Sequence, residues 1–151
     1  WYFRIPGTNK STPGFEEIAK GYNDINYRSS VPGFKSCFRQ KVTRIDMIAT
    51  DDFSTDYPAG ASLNAFCWIQ YVDLEYLIDM EYRYDSNFRR GESLDAFNAH
   101  AASDGGILIP LDDMYLIFQS VPSNTQADQH SYTVRYSFAD GTSVKAIVNN
   151  N

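Results

Sequence analysis

The chain is poor in the residues from which most catalytic and metal centres are built. Its 151 residues hold two cysteines, Cys37 and Cys67, and two histidines, His100 and His130. There is no C-x-x-C pair, which excludes a zinc ribbon and a thioredoxin-type redox site. A Cys37–Cys67 disulfide and two buried free thiols are both open at this level, since unpaired cysteine packs as a small hydrophobe. Two isolated histidines do not supply a His/Cys metal centre. The G-x-S-x-G nucleophile elbow, the phosphate-binding P-loop and the dinucleotide fingerprint are all missing. No apolar run approaches the roughly 18–20 residues that cross a membrane. Basic charge is also scarce: 13 Lys and Arg stand against 19 Asp and Glu, a net −6, the reverse of a free-standing nucleic-acid binder. No charged segment followed by an apolar core reads as a signal peptide in this chain.

Aromatic residues, by contrast, are abundant. They make up 15% of the chain, with 11 Tyr and 10 Phe, a composition that suits strands. With 43% hydrophobic and 21% charged residues, the chain is long enough for one core, and residues 1–151 read as a single domain. Trp1 to Ile5 reads as a short strand. Thr12, Pro13, Glu16 and Glu17 then carry the start signals of a helix that Gly21 stops, about two turns later. Residues 36–49 read as a strand, followed by a polar loop. The clearest pattern is residues 73–85. Leu74, Tyr76, Ile78, Met80, Tyr82 and Tyr84 alternate with Asp73, Glu75, Leu77, Asp79, Glu81, Arg83 and Asp85, and all of the second set except Leu77 are charged. That is period 2 and implies a half-buried strand, with residues 65–69 as its backward extension, either bent by a bulge or broken near Tyr71. Residues 86–106 read as a long connection with Arg89-Arg90-Gly91-Glu92 at a basic loop tip. Residues 107–111 and 114–120 look like buried strands. Ser131 to Phe138 alternates cleanly, Asp140-Gly141 turns, and residues 143–148 return as a hairpin partner.

These elements imply an all-β, antiparallel β-sandwich of jelly-roll type with one short N-terminal helix. Its core would include Tyr76, Ile78, Met80, Tyr82, Ile117, Val134, Tyr136 and Val148, so that Met80→Asp would unfold it. The opposite face of the 73–85 strand would carry Asp73, Glu75, Asp79 and Glu81, with alternate carboxylates about 7 Å apart. With Trp68 as a stacking platform, these five residues form the candidate ligand site. A carboxylate pair drawn from Glu75, Asp79 and Glu81 would have the makings of a glycoside hydrolase, but the tyrosines point the other way, and the sequence leans away from catalysis. Calcium is the one cofactor it admits, with Asp51, Asp52, Asp112 and Asp113 as oxygen ligands; a solvated outer face is the simpler role for all these acids. Asn9-Lys10-Ser11 fits a glycosylation sequon.

Charge is segregated along the chain. Residues 1–44 carry eight Lys and Arg against three Asp and Glu, a balance of +5, and residues 45–113 carry three against fourteen, a balance of −11. The two regions would meet within the fold or between copies of it. The segments Gly105-Gly106-Ile107-Leu108-Ile109-Pro110, Met114 to Ser120 and Ser131 to Gly141 together resemble the closing strands of jelly-roll capsid proteins of small picorna-like viruses. Such proteins are usually longer than this chain, and many carry a basic RNA-facing arm that is only faintly echoed in residues 1–44. The resemblance implies a structural subunit, extracellular or in a virion, whose partners are further copies or related subunits. Self-association is therefore the leading expectation. A carbohydrate-binding module, assisted by Ca²⁺, is the alternative.

Overall fold

In the computed structural model, residues 8–9, 19–24, 36–83, 88–119 and 130–149 are described. The expected strand at Trp1 to Ile5 and most of the expected N-terminal helix lie outside them, although residues 19–21 are helical. Among the described residues, eight strands run in the order β1 (Thr8–Asn9), β2 (Ser36–Cys37), β3 (Val42–Ala49), β4 (Cys67–Val72), β5 (Arg89–Ser93), β6 (Tyr115–Phe118), β7 (Ser131–Phe138) and β8 (Ser143–Asn149). Two complete α-helices among the described residues lie between them, α1 (Leu74–Asp79) and α2 (Leu94–Ser103). The chain is thus mostly β. Two three-stranded antiparallel sheets, β3-β7-β8 and β5-β4-β6, accompany the β1-β2 ribbon.

The sheets share one apolar core. Ile45, Met47, Val134 and Tyr136 from one sheet and Cys67, Ile69, Tyr71 and Leu116 from the other belong to a single buried cluster. Helix α2 adds Leu94, Phe97 and Ala101 to it. The β7–β8 hairpin keeps the register its alternation implies, from Ser131 opposite Asn149 to Ser137 opposite Ser143. Strand β3 pairs antiparallel with β7, which sets Asp46 opposite Arg135. Asp46 is 4% exposed. Burial works against its charge, but hydrogen bonds from Arg44 and Arg135 outweigh that and hold its carboxyl below the usual range.

The expected 73–85 strand does not form. Asp73 instead caps a helix, its carboxylate accepting from the Tyr76 N–H at 3.2 Å. Leu74 and Leu77 are the buried residues of that helix, and Leu77, the residue that broke the alternation, is fully buried. Spacings of three and four along Leu74, Leu77 and Ile78 form the apolar stripe of a single turn and a half. The helix ends in two consecutive left-handed residues, Glu81 at φ 50° and Tyr82 at φ 58°. Tyr82 N–H closes onto Leu77 O at 2.7 Å, and its hydroxyl donates to the Asp24 carboxylate. Of the expected core residues, Val134 and Tyr136 are buried, whereas Tyr76, Ile78, Tyr82, Ile117 and Val148 are half-buried and Met80 is exposed at 37%. Met80 sits at the helix C-cap, so it leaves the expected core. Tyr84 and Asp85 lie outside the described residues.

The expected connection at 86–106 is also replaced over its described part, residues 88–106. There the chain forms strand β5 followed by α2, whose Ser93 cap accepts from Ala96 N–H at 3.2 Å. Gly106 then brings the chain against β3. A Cβ there would lie 2.7 Å from Lys41 Cβ, and its φ of 102° suits only glycine. Residues 107–110 are buried and extended but form isolated bridges, Ile107 to Val42 and Pro110 to Cys37, rather than a strand.

One core group stands out. The Tyr136 hydroxyl is buried and has no hydrogen-bond partner among the described residues, while its ring packs 5.2 Å from that of Phe38. A buried hydroxyl without a partner carries its desolvation cost uncompensated. Tyr136→Phe should therefore raise the unfolding free energy by about 1 kcal/mol, and Tyr136→Ala should lower it by about 4 kcal/mol. Urea denaturation distinguishes the two, and a destabilised Tyr136→Phe would show that the hydroxyl has a partner after all.

Candidate functional site

The five residues expected to form a ligand site do not lie along one strand: Trp68 is in β4, and the four acids lie in and around helix α1. Asp73 caps α1 and lies 3.3 Å from the Arg90 guanidinium. Glu75 pairs with Lys41 at 2.8 Å and Glu81 with Arg83 at 2.8 Å. Asp79 is exposed near the end of the helix. The strand face that would have lined these carboxylates up at alternate positions is replaced by a helix, on which Glu75 and Asp79, four residues apart, share one side while Asp73 caps the start and Glu81 lies beyond the end. The Lys41–Glu75 and Arg44–Asp46 pairs also join the basic N-terminal part to the acidic middle within one chain. Three of the four calcium candidates have partners within the chain. Asp51 bonds to His130 at 2.9 Å, which holds its carboxyl below the ordinary range. Asp52 accepts from Ala59 N–H at 3.0 Å, and Asp113 pairs with Arg89 at 2.7 Å. The side chain of Asp112 lies outside the described residues. Among the described residues, no three His, Cys, Asp or Glu side chains are grouped to hold a metal ion.

Trp68 lies on the less covered face of β4. In β4, Cys67, Ile69 and Tyr71 are buried while Trp68 is half-buried and Gln70 exposed, the alternation of a strand with one covered face. Pairing places Gly91, Gln70 and Tyr115 in one row across β5, β4 and β6. Because Gly91 has no side chain, neighbouring side chains approach its backbone closely. A Cβ at Gly91 would meet Trp68 Nε1 at 3.0 Å and Gln70 Cγ at 3.6 Å. A cleft of about 260 Å³ lies here, lined by Gln70, Tyr71, Arg89, Arg90, Asp113 and Tyr115 around Gly91. Arg89 spans one end of it, its Nη2 donating to Asp113 Oδ2.

Behind the cleft, Arg90 enters a polar network. Its guanidinium lies 5.8 Å above the Tyr76 ring, and Nη1 lies 3.3 Å from His100 Nε2. His100 also faces Asp104 through Nε2 at 3.0 Å and Glu92 through Nδ1 at 3.5 Å. Tyr71 donates its hydroxyl to Glu92 Oε1 at 2.8 Å. Burial, reinforced by Glu92, pushes the Tyr71 hydroxyl well above its ordinary pKa, so it acts as a donor and not as a base. His100 Nε2 accepts from Arg90 when bare and donates to Asp104 when protonated. This network orients Arg90 and has no activated nucleophile. Cys37 and Cys67 are both buried and form no disulfide, which decides between the two sequence readings. They sit in different apolar clusters, and burial pushes the Cys67 thiol up to about 12, far from a reactive thiolate.

Gln70, Gly91 and Tyr115 were not legible as site residues, and Arg89-Arg90 read only as a loop tip. The available signal was a glycine between charged residues beside an alternating Trp68-x-Gln70 strand. A comparison with family models, with curated proteins and with solved structures finds no match to this chain.

Proposed function

We propose that this chain is a structural assembly subunit, a jelly-roll-like sandwich that works by pairing with copies of itself in an extracellular or virion coat. The observation that carries this reading is the contrast between the two edges of the β3-β7-β8 sheet. The β3 edge is covered. Asn98 bonds both the N–H and the carbonyl of Ile45, Asn64 accepts from Met47 N–H, and Leu63 and Ala61 bond the backbone of Met47 and Ala49. The β8 edge has no such cover among the described residues, and it exposes Val144 at 42% and Ile147 at 65%. An open, seven-residue, apolar edge with Lys145 as its one charge is a template for strand addition. Antiparallel pairing of β8 with its copy about Ala146 sets Val144 opposite Val148 and Lys145 opposite Ile147, so the like charges do not face each other. The resemblance of the closing strands to capsid jelly rolls supports the same reading. No described helix is long and apolar enough to cross a membrane.

Light scattering on a sizing column should show dimers or larger species that persist at high salt, because backbone pairing and apolar contact are weakly screened. Charge pairing between copies would instead weaken with salt. Ile147→Lys together with Val144→Lys should return the chain to a folded monomer. A monomer at every concentration in the unsubstituted chain would overturn the proposal, as would oligomers that the double substitution leaves intact.

A further inference from the structure

We infer that the cleft around Gly91 binds one neutral saccharide ring, a function separate from edge pairing at β8. Charge selects the ligand class. Arg89 is bonded to Asp113, and Arg90 to Asp73, so a carboxylate or phosphate would have to displace an existing partner. A polyhydroxyl ring does not, since each hydroxyl both donates and accepts. The wall matches that need: Arg89 donates, Asp113 accepts, and the Gln70 amide does both. Gln70 is exposed and its amide has no partner among the described residues. Shape selects further. Tyr115, 36% exposed, offers an aromatic surface to the C–H face of a ring, and the absence of a side chain at Gly91 lets the Trp68 indole and the Gln70 stem lie close against the backbone there. A volume near 260 Å³ lies below the roughly 300–1,000 Å³ of drug-sized pockets, room for one ring and not for a chain. The Arg90 network holds the floor rigid, which lowers the ordering cost of binding.

The test is saturation-transfer NMR and calorimetry with methyl glycosides of glucose, galactose, mannose and N-acetylglucosamine, with and without Ca²⁺, and with glucuronate as the anionic comparison. A glycan array run in parallel distinguishes a free sugar from the terminal residue of a glycan. At least one neutral glycoside should bind with a Kd on the order of 1 mM, independently of Ca²⁺. Gln70→Ala, a change at an exposed side chain, should weaken it about tenfold, and Asp113→Asn by a similar factor. Gly91→Val should abolish binding by displacing the Trp68 indole and the Gln70 stem that lie against its backbone. The β8 double substitution should leave binding unchanged, and Gln70→Ala should leave self-association unchanged, so the two proposals fail separately. The inference is overturned by no transfer from any neutral glycoside at about 10 mM, roughly ten times the expected Kd. Binding restricted to glucuronate, binding that requires Ca²⁺, or binding indifferent to Gln70→Ala would overturn it equally.

Discussion

Asn98→Ala should lower the unfolding free energy by about 3 kcal/mol. Asn98 is buried on α2 and bonds the Ile45 backbone twice, accepting from its N–H at 2.8 Å and donating to its carbonyl at 2.8 Å. Ile45 is fully buried in the middle of β3, on the side where no strand pairs with it. Truncating Asn98 leaves a donor and an acceptor without partners and without water, each costing about 1–3 kcal/mol. Asn98→Asp should cost more, because it sets a carboxylate oxygen against the Ile45 carbonyl where the amide donated. Asn98→Leu fills similar volume and should still be destabilised, which separates lost hydrogen bonding from lost packing. Asn64→Ala should cost less, since its backbone bond is the single one from Met47 N–H. Urea denaturation at constant m-value checks the series. A loss under about 1 kcal/mol for Asn98→Ala would mean that α2 does not hold this edge. Against a typical total of about 5–15 kcal/mol, the expected loss is a large fraction of the stability.

Leu77→Ala should cost about 3 kcal/mol, and Met80→Asp should change stability by less than about 1 kcal/mol. Alternation over residues 73–85 requires the reverse order, because it puts Met80 in the core and Leu77 outside. In the helix, Leu77 is fully buried and Met80 is 37% exposed at the C-cap. Thermal unfolding of the two variants decides between the registers. A Met80→Asp chain that fails to fold, beside a tolerated Leu77→Ala, would restore the strand. The contrast also explains why the pattern misleads. Over six helical residues, period 2 and spacings of three and four select nearly the same apolar positions, Leu74 and Ile78 among them. Leu77 is the discriminating residue, and Asp73 as a cap is the supporting signal.

Helix α2 is a second case. Leu94, Phe97 and Ala101 lie at helical spacing behind Ser93, yet the alanines and paired glycines around them also suit a loop. What settles it is the presence of β3 and β4 on one side, which rewards burial of that stripe. Helical stability in a segment this short comes from packing more than from propensity.

The sequence by itself determined the mostly β character, the β7–β8 hairpin with its register, and strand β3. Each rests on local information: alternation along one strand, a turn at Asp140-Gly141, and β-branched or aromatic residues that suit a half-covered sheet. Only the tertiary structure decided which carboxylates stand together, which sheet edge is closed, and where a cleft opens. Asp113 meets Arg89 across 24 positions, and Asn98 meets Ile45 across 53. The cleft exists because three strands place Gly91, Gln70 and Tyr115 side by side. Periodicity describes which face of an element is buried, but not which element lies opposite, and charge pairing and concavity both depend on that neighbour.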